Sequence, residues 1–202
     1  MTTNPAHRLT LAVSGASGAI YGVRMLQHLV DAKCSVDVVY SSAARRVLKE
    51  ECGIVLLDDL KVLLKKGQSA DNLVLHSHTN IGAAPASGSA PHIATIIMPC
   101  SLSTLAAVSS GLASNLIERS AQVALKEQRK LIIVPRETPL SRLHIDCMSK
   151  LAWAGAHILP ASPGFYHNPQ TIEDLVDSVC AKVLKACGVK HQIVSEWDGS
   201  DE

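Results

Sequence analysis

The spacing of apolar residues changes from segment to segment along this chain, and each change marks an element. Residues 8–13 and 35–40 read as β-strands. Residues 93–98 and 131–134 are unbroken apolar runs, as expected of strands covered on both faces of a parallel sheet. Between them, 19–32 places Ile20, Val23, Leu26, Leu29 and Val30 at helical spacing. The pattern predicts further helices over 41–51, with Ser41 as N-cap, and over 54–66, 101–111, 115–126 and 141–154. A last helix over 171–187 carries Glu173 and Asp174 in its first turn, where acids favour the helix dipole. Short strands are expected at 73–76 and 157–159. Residues 82–92 are Ala, Pro, Ser and Gly between elements, which suits a functional loop rather than a linker.

Strand and helix alternate throughout, which implies an α/β fold: a single-domain, Rossmann-like (flavodoxin-like), doubly wound parallel sheet with helices on both faces. With no repeat and no linker, residues 1–202 read as one domain, its core at about 8–188 and a polar tail at 189–202 that contains Trp197. Composition narrows the partners. A formal net charge of +1 gives no basic field for nucleic acid or a membrane surface, and 3% aromatics argues against base-stacking platforms. No apolar run approaches the roughly 20 residues of a membrane span. Residues 1–8 are polar and lack a signal-peptide core. The six cysteines form no CxxC pair and read as reduced thiols of a cytoplasmic protein.

In open parallel sheets ligands bind beyond the carboxyl ends of the strands, where strand order reverses. After the first strand comes Ser14-Gly15-Ala16-Ser17-Gly18, and after the second Ser41-Ser42. After the apolar 93–98 run comes Pro99-Cys100-Ser101-Leu102-Ser103-Thr104. These offer hydroxyls and backbone N–H groups at helix starts, which suit a phosphate and a polar ring edge. Next come Pro135-Arg136-Glu137-Thr138-Pro139, a charged pair directly after a buried strand, and Gly164-Phe165-Tyr166-His167. Singly, the glycine turn and the serines are what any strand-to-helix turn contains. Arg119 and Lys126, seven residues apart, would share one helix face. His76 and His78 would share a strand face but lack a third metal ligand, and no metal is expected.

Together these segments resemble the UbiX/Pad-type flavin prenyltransferases. The resemblance is carried by 14–22 (SGASGAIYG), Pro85-Ala86-Ser87-Gly88-Ser89, Pro99-Cys100-Ser101, Leu116-Ile117-Glu118-Arg119, Ala124-Leu125-Lys126-Glu127, 135–139 and 164–170. It runs in order from about Leu9 to Trp197. It implies FMN, in reduced form, as bound cofactor and substrate, dimethylallyl monophosphate as donor, and prenylated FMN delivered to a UbiD-type decarboxylase. It further implies that Gly15, Ala16, Ser17, Ser41, Ser101, Leu102, Ser103, Thr104, Arg119 and Arg136 bind the cofactor. Ser87, Lys126, Tyr166 and Lys182 would bind the donor, and Ser17, Glu51 and Glu137 would act in catalysis. Many family members have arginine where this chain has Lys182, which keeps the charge but loses the bidentate fork. The family forms homo-oligomers, commonly dodecamers, with sites at subunit interfaces. Two other readings are a flavin-dependent cysteine-type decarboxylase and a non-catalytic FMN-binding partner subunit of a decarboxylase. The former is expected to carry an asparagine in its PASANT-type loop, where 85–91 has none.

Overall fold

The computed structural model describes residues 7–193, so Trp197 and most of the polar tail lie outside the described residues. The elements are β1 (Arg8–Val13), α1 (Ala19–Asp31), β2 (Ser35–Tyr40), α2 (Ser42–Cys52), β3 (Leu73–Ser77), β4 (His92–Cys100), α3 (Leu102–Ser109), α4 (Leu116–Lys126), β5 (Lys130–Pro135), α5 (Arg142–Trp153), β6 (His157–Ile158) and α6 (Ile172–Cys187). All strand pairs are parallel and the order is β3-β2-β1-β4-β5-β6, the order of dinucleotide-binding sheets. Without edge strand β3 it is the flavodoxin order, so both parts of the expected description hold.

Side-chain alternation sorts the core into two layers. Leu9, Leu11 and Val13 of β1, with Ile96 and Met98 of β4, join the layer of α1, α2 and α6. Ala12, Ile97, Leu131 and Ile133 face α3, α4 and α5 instead. Polar cross-links tie neighbouring strands and helices together. Asp37 of β2, 1% exposed, accepts from Arg8 Nε (2.6 Å), His76 Nε2 (2.6 Å) and His92 Nε2 (2.7 Å). His76 is thereby committed to an internal hydrogen bond, while His78 lies beyond β3 and gives its carbonyl to Leu116 N (2.7 Å). On the other side, Asp177 of α6 accepts from Arg24 Nε (2.8 Å) and His28 Nε2 (2.8 Å) of α1.

Two segments differ from expectation. Residues 54–66 form a single 3-10 turn, Leu60–Leu63, rather than a helix. Gly53, at φ +68°, ends α2. Leu56, Leu60 and Leu63 are buried at the spacing that reads as helical. However, the Asp59 side chain caps only that turn, and Leu64 returns to extended backbone. The apolar 93–98 run belongs to a longer strand, because His92 pairs with Arg8 at one end and Cys100 with Pro135 at the other.

The β3-to-β4 crossover is the 78–91 loop, with a 3-10 turn at Ala84–Ala86 where such units ordinarily carry a helix. It starts beside the first residue of α4, through His78, and packs along α4. It ends at the start of β4, on the amino edge of the sheet. Loop and α4 thus descend together from the carboxyl edge to the amino edge.

Candidate active site

The sheet reverses its winding between β1 and β4, and the carboxyl ends of these strands are tied together. Ser14, 1% exposed, donates from N (3.1 Å) and from Oγ (3.3 Å) to Pro99 O, and its Oγ accepts from Ser101 N (2.7 Å). This closes the base of a crevice rimmed by the turns after β1, β2, β4 and β5. Ser14 is a site-shaping residue that the sequence reading quoted but gave no role.

Gly15 is required by close approach: a Cβ there would lie 2.4 Å from the Ala43 Cβ of α2. Gly18, at φ +96°, turns the chain into α1. Its N–H and that of Ala19 both donate to Glu51 Oε2, at 2.8 and 2.9 Å. Glu51, at the end of α2, therefore caps α1 across the crevice. Burial pushes the Glu51 carboxyl up. The Ser17 hydroxyl, the Ala19 and Gly18 N–H groups and the Arg136 charge outweigh it and hold the group ionised, below its ordinary value. Arg136, entering from the β5 turn, donates from Nε to Ser17 O (2.9 Å). Ser17, Glu51 and Arg136 thus meet at one point. Glu137 is the next residue on the same rim and is exposed, with Thr138 N donating to its Oε1 (3.1 Å).

The three helix starts on this edge are not equivalent. That of α1 is taken by the Glu51 carboxylate. Those of α2 and α3 are capped by their own serines, with Ser41 Oγ accepting from Ala44 N (3.0 Å) and Ser101 Oγ from Thr104 N (3.4 Å). Ser101 Oγ also bonds Ser103 Oγ and Thr104 Oγ1, each at 3.1 Å. One serine satisfies one of the several orphan N–H groups of a first turn, so these two starts retain donors for an anion. Gly15, Ala16, Ser17, Ser41, 101–104 and Arg136 therefore share one edge. Their donor set, of hydroxyls, turn amides and one guanidinium, fits a phosphorylated heterocycle such as FMN.

Of the expected donor-binding residues, Ser87, Lys126 and Lys182 do not join them within one chain. Lys126 ends α4 at the amino edge of the sheet, next to the turn holding Ser87 and Gly88. There its ammonium pairs with Glu127. Arg119 is exposed about 10 Å up the same helix, from its rise per residue. Lys182 is exposed on α6, in the opposite helical layer. Tyr166 is exposed in the loop after β6, with its ring edge-on to His167 at 5.4 Å. The 83–89 stretch, part of the expected functional loop, lies along α4 and ends at the amino edge, away from its own chain's crevice.

A doubly wound sheet with hydroxyl-rich turns at its reversal point defines a class of small flavin-binding proteins, and the Flavoprotein family model matches residues 1–184. At finer grain, the flavin prenyltransferase UbiX of Pseudomonas aeruginosa is 45% identical over 195 residues, covering 94% of this chain and 93% of that protein. Among solved structures, AnUbiX (PadA1) in complex with FMN and dimethylallyl pyrophosphate matches with a TM-score of 0.88 at 32% identity. That match covers 97% of this chain and all of the other. A dodecameric FMN-dependent UbiX-like decarboxylase from Escherichia coli O157:H7 matches at 0.84 and 34%, over 95% of this chain and 100% of that one. The chain belongs to the UbiX flavin prenyltransferase family.

Proposed function

We propose that this protein transfers the dimethylallyl group of dimethylallyl monophosphate to N5 and C6 of reduced FMN, making prenylated FMN for a UbiD-type decarboxylase. The observation that carries this is the meeting of Ser17, Glu51 and Arg136 beside Glu137, on the edge where the hydroxyl-rich turns face the crevice. Reduced FMN, when bound, supplies a nucleophilic ring nitrogen. The chain's own groups do the rest. Ser41 and the 101–104 turn hold the phosphate and ring edges, and Arg136 fixes the turn at Ser17. Lys126, Lys182 and Tyr166 stabilise the charge that grows on the leaving phosphate. Glu137 takes the C6 proton. The ionised Glu51 keeps the α1 end of the crevice negative, which favours a developing allyl cation.

Lys126 lies at the opposite edge from the crevice and Lys182 on the outer face of α6, so the complete site is built between copies in a homo-oligomer of the dodecameric kind. Helix α5 supports this. Leu151 is its only buried residue, while Leu143 and Trp153 are 75% and 91% exposed. Such an apolar surface is unusual on a protein that works alone. A cytoplasmic location agrees with the six unpaired cysteines. No helix among the described residues is long and apolar enough to cross a membrane.

The test is anaerobic incubation with reduced FMN and dimethylallyl monophosphate, followed by mass analysis of the flavin. The expected product is heavier by one prenyl group, and unchanged flavin overturns the reading. Parallel incubation with the pyrophosphate decides which donor is used. Release of carbon dioxide from a peptide cysteine would instead favour the decarboxylase reading.

A further inference from the structure

The end of α4 and the turn that follows it send three charged side chains to a single glycine. A Cβ on Gly88 would lie 2.4 Å from Glu127 Oε1 and 3.0 Å from Lys126 Nζ, and Arg129 Nη2 donates to Gly88 O. Neighbouring residues on a helix point in different directions and do not ordinarily pair. Lys126 and Glu127 meet because both bend over the space that the missing Gly88 side chain leaves. Glu127 is also the C-cap of α4, where an acid works against the helix dipole. Helix stability therefore does not account for it. Its carboxyl is held below its ordinary value, first by the Lys126 hydrogen bond and charge and then by Arg129.

We infer that Glu127 is a positioning residue that fixes the Lys126 ammonium over Gly88, in the attitude in which it meets the donor phosphate. The inference rests on the proposed function, in which Lys126 binds that phosphate. A free lysine side chain samples many rotamers, and binding an anion must freeze them. Glu127 freezes them beforehand. An ammonium has three donors, so the bond to Glu127 leaves others for phosphate oxygens. Arg129 holds the 87–89 turn against the same helix end, and glycine at 88 lets the ion pair sit close.

The experiment measures binding of dimethylallyl monophosphate to the oligomer loaded with oxidised FMN, which cannot turn over, by calorimetry at low salt. Glu127→Ala and Gly88→Ala are each expected to weaken donor binding by about threefold to fivefold, the size for an exposed ion pair. The dissociation constant for FMN is expected to stay unchanged. Glu127→Asp, which keeps the charge, is expected to recover most of the loss. In a Lys126→Ala background, Glu127→Ala is expected to have no further effect, because the two act as one unit. The wild-type advantage should also shrink as salt screens the pair. Additive losses in the double variant, or parallel weakening of FMN and donor, overturn the inference and leave the proposed function standing. If the wild type does not bind the donor, the functional reading falls and this inference with it.

Discussion

At the scale of single residues, the glycines and serines of the first turns carry more of the site than any charged group. Gly15 lies against Ala43 so closely that one added methyl must push the β1 turn off α2. Gly15→Ala is expected to lower stability by about 1–3 kcal/mol, the usual cost of overpacking. FMN affinity is expected to fall by more than about tenfold, since Ser17 and Ser41 lie on the two segments forced apart. A thermal melt and a flavin fluorescence titration check the two effects. That Gly15, Ser41, Ser101 and Arg136 share one edge was legible in the sequence because each lies in the turn after a recognisable strand. The Glu51 cap on α1 was not, because its partners lie more than thirty residues away. Nor was the convergence on Gly88, which arises only once the 78–91 loop folds down α4.

At the scale of elements, the strands and most helices follow from spacing alone, because period-two and helical patterns are distinct wherever the run is long enough. The 54–66 segment shows the limit: leucines at helical intervals are also met by one 3-10 turn between extended stretches. The contact of α1 with α6 was equally hidden, since it joins elements about 150 residues apart through Asp177. Burial raises the Asp177 carboxyl, but the His28 and Arg24 bonds lower it further, to about 2. Its folded value is depressed, so its contribution is fully present above the unfolded value near 4. It is lost as pH falls from there towards 2. At neutral pH this amounts to about 2 kcal/mol. Asp177→Asn is therefore expected to melt earlier than wild type above pH 5, with the gap closing towards pH 2. Melting curves across that range test it.

For the whole molecule, the proposed function and the polarity of the sheet together divide the site residues between two edges of each chain. Glu137 stands on the carboxyl rim of its own chain's crevice, and Lys126 at the amino edge. Glu137→Gln and Lys126→Ala oligomers are each expected to be inactive. Dissociated and reassembled together, they are expected to regain roughly one quarter of wild-type turnover, the fraction of sites pairing an intact rim with an intact lysine in random mixing. Turnover that stays at the level of the single variants would place both groups in the same chain's site. The flavin yield of mixed and separate preparations is the measurement. In the sequence, assembly is expected only through the family resemblance. The apolar pattern of α5 reads as an ordinary amphipathic helix, and only its burial in the fold shows that Leu143 and Trp153 are left without cover.

The Glu51 cap also bears on which ligands the crevice turns away. In sheets of this strand order, NAD and FAD rest their pyrophosphate on the start of the first helix. Here a fixed negative charge already fills that seat, so a bridging pyrophosphate would meet a carboxylate where it needs bare N–H groups. The scaffold thereby selects for a mononucleotide, whose single phosphate can use the start of α2 instead. The residue that steadies the first helix is thus also the one that excludes the dinucleotides for which this fold is otherwise suited.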